Sequence, residues 1–301
     1  MRSSRDSSSR SAVTPLVDLF VRRSGIASTS AWRVMEELVE RLRREAASSS
    51  ALSLERFLKV RNVIEKRVDP EITCDGFIEP IGAEFVKGFR LVLNGNRPSV
   101  RQRFTIAHEI CHTFFYEIVP ELKFRSHPTD SYEEALCNHG AAALLMPAED
   151  VIANSRAKDI SIATLEDLGR RYEVSIEAAF LRLRALRLWD CELTVWHRMK
   201  SGAFVVDRIH SWLKADWRWV NTSVPDRAWS SKSPIVGRAF VYYDATDGYC
   251  VAKPIFFQVA RKGESLIAIW GRKPLSSAKR LPTLFEKPEL TRPRRRGMPL
   301  H

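Results

Sequence analysis

The chain has 301 residues, of which 45% are hydrophobic and 28% are charged, and its formal net charge is +12. This composition is typical of a folded globular protein with room for two or three domains, and it excludes collagen-like and wholly disordered chains. No apolar run approaches the length of a membrane span, so the sequence predicts no membrane partner.

The cysteines and the N-terminus predict a cytoplasmic protein. Five cysteines are scattered along the chain without any C-x-x-C pair. The N-terminal residues are polar and charged, unlike a hydrophobic export signal. An odd number of scattered cysteines is typical of a reducing compartment, so we expect free thiols and a cytoplasmic location.

Residues 1–50 are predicted to be a polar segment that contains a charged helix, residues 32–45, followed by an alanine- and serine-rich linker. A first folded domain is predicted over residues 51–155. Within it, the apolar residues 89–94 are predicted to form a strand that ends at an Asn-Gly-Asn-Arg-Pro turn. This strand either lies in the core of a sheet or accepts an extended peptide substrate as an additional strand.

The next element is a long helix that is predicted to begin with Ser99 as its N-cap and has no Pro or Gly before Pro120. His108 and His112 are four residues apart, so that both imidazoles lie on one face and reach one metal ion. Glu109 lies about 100° around the helix, where it addresses a metal-bound water as the general base. The same spacing also occurs in helices that carry two structural histidines, so the motif alone leaves both interpretations open.

A third metal ligand is expected on a separate helix, because a catalytic zinc takes three protein ligands and keeps one open position. Residues 131–146 have a helical composition. Within them Glu134 and Asn138 lie on one face, which predicts Glu134 as a ligand and Asn138 as its hydrogen-bonding support. The alternative is that Glu134 forms a capping box with Ser131, although Asp130 with Glu133 offers the same cap one residue earlier.

Cys111, Cys137 and His139 offer a rival set of ligands, since thiolates bind zinc well. Cys111, however, lies on the side of its helix that also carries Phe104 and Phe114. A buried thiol is therefore the favoured interpretation of Cys111.

Two blocks of sequence, residues 103–112 and 134–147, resemble the ImmA/IrrE metallopeptidases. Those proteins combine an RFTxAHExxH helix with a helix of the pattern E-x-x-x-N, which is followed by alanines and LLMP. The sequence of the second block is most similar to that of the radiation-response regulator branch of this family. Cys111 and His139 depart from the usual family residues, but neither departure removes a required group.

The resemblance implies a zincin-like domain in which His108, His112 and Glu134 hold a metal ion and Glu109 acts as the general base. Zinc is the implied metal, with manganese or another divalent ion as alternatives. The resemblance also implies a substrate class, because the best understood members of the family cleave a helix-turn-helix repressor. That cleavage releases stress-response or mobile-element genes.

Residues 156–189 are predicted to form a helix-turn-helix-like unit, with helices over residues 161–172 and 176–189 that Ser161 and Ser175 cap. Five arginines are expected to give this unit a basic surface, namely Arg170, Arg171, Arg182, Arg184 and Arg187. The first turn of the second helix lacks the Arg, Asn and Gln residues that usually contact bases, which favours partner docking over DNA reading. A non-catalytic DNA-binding regulator is the main alternative to a peptidase.

Residues 190–275 contain short apolar segments that predict strands. These segments are residues 193–196, 203–206, 236–242, 252–257 and 266–270. The resemblance implies a GAF-like sensor domain here, as in some longer members of the family. Core packing is favoured over a ligand pocket for the nearby tryptophans Trp212, Trp217, Trp219 and Trp229. Residues 276–301 are predicted to be a basic, disordered tail.

The sequence therefore predicts an α+β protein with a small zincin-like metallopeptidase domain, a helix-turn-helix-like unit and a β-rich C-terminal domain. Its predicted function is that of a regulatory, metal-dependent endopeptidase whose protein substrate is a helix-turn-helix repressor, with direct nucleic-acid binding less favoured. The group that stabilises the oxyanion is left open among Tyr116, Tyr132 and His139.

Overall fold

The structure is a computed structural model that describes residues 15–46, 53–82, 87–124, 130–156, 158–210, 223–244, 250–271 and 275. Most of the predicted linker, the tryptophans Trp212, Trp217 and Trp219, and the predicted basic tail lie outside the described residues. The described residues form a mixed α+β fold with two sheets, as predicted. No helix of the described segments is long and apolar enough to cross a membrane.

The chain divides into two compact units, Met1–Asp150 with Arg171–Ala178, and Val151–Arg170 with Ala179–His301. The first unit contains α1 (Pro15–Arg23), α2 (Ala31–Ala46), α3 (Leu54–Val60), β1 (Val63–Asp69), β2 (Gly76–Pro80), β3 (Phe89–Asn94), α4 (Ser99–Ile118), a short 3-10 helix (Pro120–Phe124) and α5 (Ser131–Leu145). Next come α6 (Ala148–Ser155), α7 (Ile162–Tyr172) and α8 (Ile176–Ala185), each of which contributes residues to both units. The second unit continues with β4 (Cys191–Arg198), β5 (Phe204–His210), α9 (Ser223–Ser230), β6 (Ile235–Asp244), β7 (Cys250–Lys262) and β8 (Ser265–Gly271).

The sheet of the first unit has the strand order β1-β3-β2, with β1 parallel and β2 antiparallel to β3. The predicted strand over residues 89–94 is confirmed as β3, and its Leu91 and Leu93 are buried in the core. Both edges of β3 are already paired, so of the two alternatives for this strand the structure supports the one in the core of a sheet. Within the described part of the chain, β2 lies at an edge of the sheet, and its outer backbone groups have no partner strand.

Helices α4 and α5 match the predicted helices closely, but their caps differ. The N-cap of α4 is Pro98 rather than Ser99, because the Pro98 carbonyl already accepts hydrogen bonds from the N–H groups of Arg101 and Gln102. The N-cap of α5 is Asp130, whose side chain accepts a 2.8 Å hydrogen bond from the N–H of Tyr132. Glu134 is therefore not needed to cap α5.

The crossing of α4 and α5 is unusually close at Gly140. A Cβ atom built on Gly140 would lie 2.6 Å from the Cys111 Sγ atom and 2.9 Å from the Met35 side chain of α2. Glycine at this position in a helix costs about 1 kcal/mol relative to alanine, and the close approach of α2 and α4 is the reason that it is needed. On another side of α4, Phe115 stacks on Phe20 of α1 with ring centroids 4.1 Å apart.

Helices α7 and α8 begin as predicted, since the hydroxyls of Ser161 and Ser175 each accept a 3.1 Å hydrogen bond from the N–H three residues later. Helix α8 ends at Ala185 rather than at residue 189, because Arg187 adopts a left-handed backbone conformation with φ of 56°. The predicted basic surface is wrong at Arg182, which is 3% exposed. A guanidinium at that depth cannot contact a DNA backbone.

The sheet of the second unit is antiparallel, with the order β5-β4-β8-β7-β6, and its strands confirm the five that the sequence predicts. Its core contains Trp196 and Trp270 beside the fully buried Thr194. The Thr194 hydroxyl oxygen accepts hydrogen bonds from both indole N–H groups, at 2.8 and 2.9 Å. One polar atom thereby satisfies two buried donors.

Candidate metal centre

Helices α4 and α5 bring three of the predicted site residues together, with two histidines from α4 and a glutamate from α5. The Nε2 atom of His108 lies 3.1 Å from the Nε2 atom of His112 and 3.1 Å from Oε2 of Glu134. The Nε2 atom of His112 lies 3.5 Å from Oε1 of Glu134. His112 is nearly buried, whereas the Glu134 side chain is 37% exposed, so the group opens towards Glu134.

The opposite nitrogens of the two imidazoles have their own partners. The Nδ1 atom of His108 lies 3.1 Å from Oδ1 of Asn138, and the Nδ1 atom of His112 lies 2.9 Å from Oε1 of Glu133. Since both partners are oxygen acceptors, Nδ1 is the donor in each ring, which leaves Nε2 as the nitrogen that faces Glu134 and is available to a metal ion. Asn138 thus contacts a histidine, whereas the sequence-based prediction had paired it with Glu134.

Glu133 is a site residue that the sequence reasoning missed, since that reasoning considered it only for helix capping. Its side chain is 2% exposed and its carboxylate contacts the buried His112. The signal that could have revealed it is its place beside Glu134 on a helix that faces the two histidines. Carboxylates that hold the second nitrogen of a metal-binding histidine fix the orientation and tautomer of that ring.

The donor set fits a divalent metal ion. Two Nε2 lone pairs and a carboxylate face one another, which is electrostatically unfavourable unless a cation or protons lie between them. Tetrahedral coordination with bonds of about 2.0–2.1 Å spaces neighbouring ligand atoms by about 3.3 Å, and the three observed spacings are 3.1, 3.1 and 3.5 Å. Among the described residues, His108, His112 and Glu134 are the group of acidic, histidine or cysteine side chains that is close enough to hold an ion.

Glu109 lies beside this group without belonging to it. It is 6% exposed, and the backbone N–H of Ile78 on β2 lies near its carboxylate and favours the charged form. Burial raises the pKa of Glu109 above its ordinary value, although His112 and His108 lower it. A carboxylate with a raised pKa has the proton affinity that a general base requires near neutral pH.

The rival cysteine site has no support among the described residues. Cys111 and Cys137 are fully buried, as predicted for Cys111, and both are free thiols. Burial raises the pKa of Cys111 well above its usual value and raises the pKa of Cys137 to about 11. Both groups are therefore neutral at pH 7, whereas metal binding requires a thiolate.

The pKa of His112 depends on its burial and on the charged and polar groups around its ring. Burial lowers the pKa of His112, but Cys137 and the carboxylates of Glu133 and Glu134 raise it by more, so that it lies well above its usual value. A proton and a metal ion compete for the same imidazole nitrogen. The pair of carboxylates around this ring thus attracts a positive charge of either kind.

The three predicted candidates for oxyanion stabilisation have contacts with neighbouring rings. His139 contacts Trp32 with ring centroids 5.1 Å apart and lies 3.1 Å from a carboxylate oxygen of Glu36. Tyr132 also contacts Trp32, and Tyr116 contacts Phe89. Their part in catalysis stays a prediction.

The outer edge of β2 lies next to the metal centre. The N–H of Asn94 donates to the carbonyl of Asp75 and the N–H of Ile81 donates to the carbonyl of Gly88, which fixes the backbone groups that face β3. The backbone groups of Gly76 and Ile78 consequently face the outer edge. No described strand pairs with that edge.

A mixed α+β domain in which one helix carries two histidines and a glutamate, and a second helix carries a further carboxylate, resembles the arrangement of zincin-like domains. Residues 77–184 match the Peptidase_M78 family, described as the IrrE N-terminal-like domain. The resemblance that the sequence indicated is thereby confirmed over residues 77–184, which are similar to the IrrE N-terminal-like domain.

Two curated relatives share this region, and both are named radiation response metalloprotease IrrE. The protein of Deinococcus deserti is 35% identical over 98 residues, which cover 31% of this chain and 35% of the relative. The protein of Deinococcus radiodurans is 38% identical over 102 residues, which cover 31% of this chain and 30% of the relative. The chain thus spans about a third of the length of the curated relatives it matches.

Among solved structures, a Mycobacterium tuberculosis transcriptional regulator superposes on this chain with a TM-score of 0.49 and 14% sequence identity. The superposition covers 85% of this chain and 79% of that protein. A similarity at this level supports no statement about function.

Proposed function

We propose that this protein is a metal-dependent endopeptidase of regulatory type, with a divalent ion held by His108, His112 and Glu134. The observation that carries the proposal is the convergence of two imidazole Nε2 atoms and a carboxylate at 3.1–3.5 Å, with both Nδ1 atoms already engaged. Two histidines and one carboxylate form the ligand set of several catalytic zinc sites, and we therefore propose zinc, with manganese as the alternative.

The chain's own residues have separate roles in the proposed reaction. An ion in this position supplies a Lewis acid that lowers the pKa of water and polarises a carbonyl group. Glu109 takes a proton from the attacking water on a carboxylate oxygen and then gives it to the departing amine. Asn138 and Glu133 hold the rings of His108 and His112 so that their Nε2 atoms stay directed at the ion.

We propose that the substrate binds as an extended strand along the outer edge of β2. The backbone groups of Gly76 and Ile78 face that edge, and the Ile78 N–H lies near the carboxylate of Glu109. An added strand gains main-chain hydrogen bonds that do not depend on its sequence. Such binding would bring the backbone of the substrate next to the proposed base.

The proposed substrate is a helix-turn-helix repressor, whose cleavage releases stress-response genes. The support for this substrate is the similarity of residues 77–184 to radiation response metalloproteases. The alternative, a DNA-binding regulator, relied on the basic surface of α7 and α8. That alternative is weakened because Arg182 is buried, and because Arg170 and Arg171 contact the carboxylates of Asp167 and Asp150.

The remaining organisation of the chain is also part of the proposal. We keep the predicted boundaries at residues 50, 155, 189 and 275, and we propose that residues 190–275 form a GAF-like sensor domain. The antiparallel five-stranded sheet supports a separate β-rich domain. A cytoplasmic location agrees with the free thiols of Cys74, Cys111, Cys137 and Cys191.

The test is cleavage of a repressor encoded near this protein, with each divalent metal in turn and mass spectrometry of the products. The wild type should yield discrete fragments, whereas Glu109→Gln should yield none while it retains the metal. Glu117→Gln is the matched control, because Glu117 lies on the same helix with its side chain 62% exposed and contacts Arg61 instead of the metal centre. Cleavage by Glu109→Gln at the wild-type rate would refute the mechanism.

A further inference from the structure

A cavity of about 400 Å³ lies in the first unit, away from the metal centre. Its lining side chains come mainly from six helices, α2 to α7. With a helical rise of 1.5 Å per residue, Arg103 is about 7 Å from His108 along α4, and Leu144 is about 15 Å from Glu134 along α5. The cavity is in the size range of pockets that bind small molecules.

The charged groups of the lining are three guanidiniums and one carboxylate. Arg43, Arg103 and Arg171 converge from three different helices, and Asp150 is the acidic residue of the lining. Two further carboxylates approach from outside the lining: Glu173 lies 3.3 Å from Arg103 and Glu40 lies 3.8 Å from Arg43. Both are more than half exposed, so water and salt screen them strongly.

Two of the guanidiniums are held in place by hydrogen bonds to the protein. Arg43 donates a 2.8 Å hydrogen bond from Nη1 to the carbonyl of Leu144. Arg171 donates to Oδ1 of Asp150 at 3.3 Å, while the hydroxyl of Tyr172 donates to Oδ2 of the same carboxylate at 2.8 Å. A preorganised guanidinium loses little side-chain entropy when it binds an oxyanion.

Arg103 differs from the other two, because its buried Nε atom has no hydrogen-bond partner in the described structure. Its contact with Glu173 is close enough for an ion pair but does not have the geometry of a hydrogen bond. A guanidinium has five N–H donors, and an oxyanion in the cavity would accept from those of Arg103 that do not face Glu173.

The rest of the lining is mostly apolar. Leu54 and Phe57 come from α3, Leu144 and Leu145 from the C-terminal end of α5, and Pro147 from the residues that follow α5. The remaining residue, Tyr172, donates its hydroxyl proton to Asp150. A cavity with a basic side and an apolar side matches a small molecule that has an anionic group at one end and a hydrocarbon or ring body at the other.

We propose that this cavity is a binding site for a small organic oxyanion, in which Arg103 and Arg171 hold the phosphate or carboxylate group and the leucines and Phe57 contact the apolar body. The site is separate from the proposed peptidase site and does not depend on it. It provides the first unit with a place where a metabolite can bind the two helices that carry the metal-centre residues.

Isothermal titration calorimetry of the full chain with phenyl phosphate tests the proposal. Binding is expected with a Kd of about 1 mM or tighter, which is the range that a ligand of this size reaches. Inorganic phosphate should bind about tenfold more weakly because it lacks the apolar body, and phenol should not bind because it lacks the charge. Benzoate is titrated in parallel to distinguish a carboxylate ligand from a phosphate ligand. Whichever of benzoate and phenyl phosphate binds more tightly identifies the anionic group that the cavity prefers.

Variants assign the binding to the cavity. Arg103→Gln and Arg171→Gln should each weaken phenyl phosphate about tenfold or more, the usual effect of losing one hydrogen bond to a charged group. Asp150→Asn should strengthen binding, because it removes the negative charge of the lining while its amide oxygen can still accept a hydrogen bond from Arg171. Arg101→Gln is the matched control, since Arg101 lies on the same helix but pairs with Asp75 outside the cavity.

Two results would overturn the proposal. One is the failure of both phenyl phosphate and benzoate to bind at about 10 mM, well above the expected Kd. The other is an equal affinity in Arg103→Gln, Arg171→Gln and Arg101→Gln, which would assign the binding to the general positive charge of the chain. Thermal unfolding of each unliganded variant verifies that it is folded, and the exposed Arg171 provides a test even if Arg103→Gln is unstable.

Discussion

The imidazoles of His108 and His112 and the carboxylate of Glu134 are spaced as three ligands of a tetrahedrally coordinated metal ion would be. Replacing one ligand at a time tests this assignment. The purified protein should carry about one zinc-class ion per chain, and His108→Ala should lose it because only two ligands remain. Metal content after dialysis, measured by mass spectrometry, checks this prediction. His197→Ala is the control, since His197 lies on an exposed part of β4. An unchanged metal content in His108→Ala would refute the ligand assignment.

A second prediction concerns the contact between Glu133 and His112. Its carboxylate accepts the Nδ1 proton of His112, so Glu133→Ala should weaken metal binding by about tenfold to 100-fold. Glu133→Gln retains an oxygen acceptor and should lose less. Competition with a metal chelator gives the affinities, and equal affinities in the wild type and Glu133→Ala would show that the contact does not orient the ring.

The residues of the metal centre differ in how far the sequence could predict their roles. The roles proposed for His108, His112 and Glu109 follow from spacing within one helix, which periodicity makes visible. The contact of Glu133 with His112 joins residues 21 positions apart on two helices, and no local pattern encodes it. Glu133 was assigned to capping because Asp130 and Glu133 also match a capping pattern.

At the scale of elements, the crossing of α4 and α5 depends on Gly140. Gly140→Ala should destabilise the protein by about 1–3 kcal/mol, because overpacking outweighs the better helix propensity of alanine. Urea unfolding measures the change. The double variant Gly140→Ala with Cys111→Ala should recover part of the loss, since Cys111 Sγ is the nearest obstacle at 2.6 Å. A stabilised Gly140→Ala would contradict the close packing of the two helices.

The hydrogen bonds of Thr194 in the sheet of the second unit can be tested by substitution. Thr194→Val removes the acceptor of two indole N–H groups and should cost about 2 kcal/mol or more, since each orphaned buried donor costs about 1–3 kcal/mol. Thr194→Ser keeps the hydroxyl and should cost about 1 kcal/mol for the lost methyl group. Thermal unfolding compares the two. Equal losses would show that the hydrogen bonds contribute little.

The two strands that the sequence did not predict, β1 and β2, share a physical cause. Strand β1 carries a row of charged, exposed side chains because it lies at the sheet edge, so it lacks an apolar pattern. Strand β2 has five residues and a glycine and a proline at its ends. Central strands such as β3 and long helices such as α4 bury enough of their surface to be predicted, whereas edge strands do not.

For the whole molecule, the proposed function separates a protease from a DNA-binding regulator. A regulator that acts by contact with DNA needs none of the chemistry of Glu109, while a regulator that acts by proteolysis depends on it completely. The burial of Arg182 and the edge of β2 beside Glu109 favour proteolysis. The net charge of +12 does not distinguish the two, since it is compatible with both kinds of partner.

The most direct test of the central claim is the level of the repressor in cells that express either the wild type or Glu109→Gln, with equal metal content verified in the purified proteins. The proposed mechanism predicts that the wild type lowers the repressor level after stress and induces the target genes. In the Glu109→Gln strain the repressor should stay intact and the genes should stay silent. Normal induction by Glu109→Gln would contradict the proteolytic function, whatever the metal content shows.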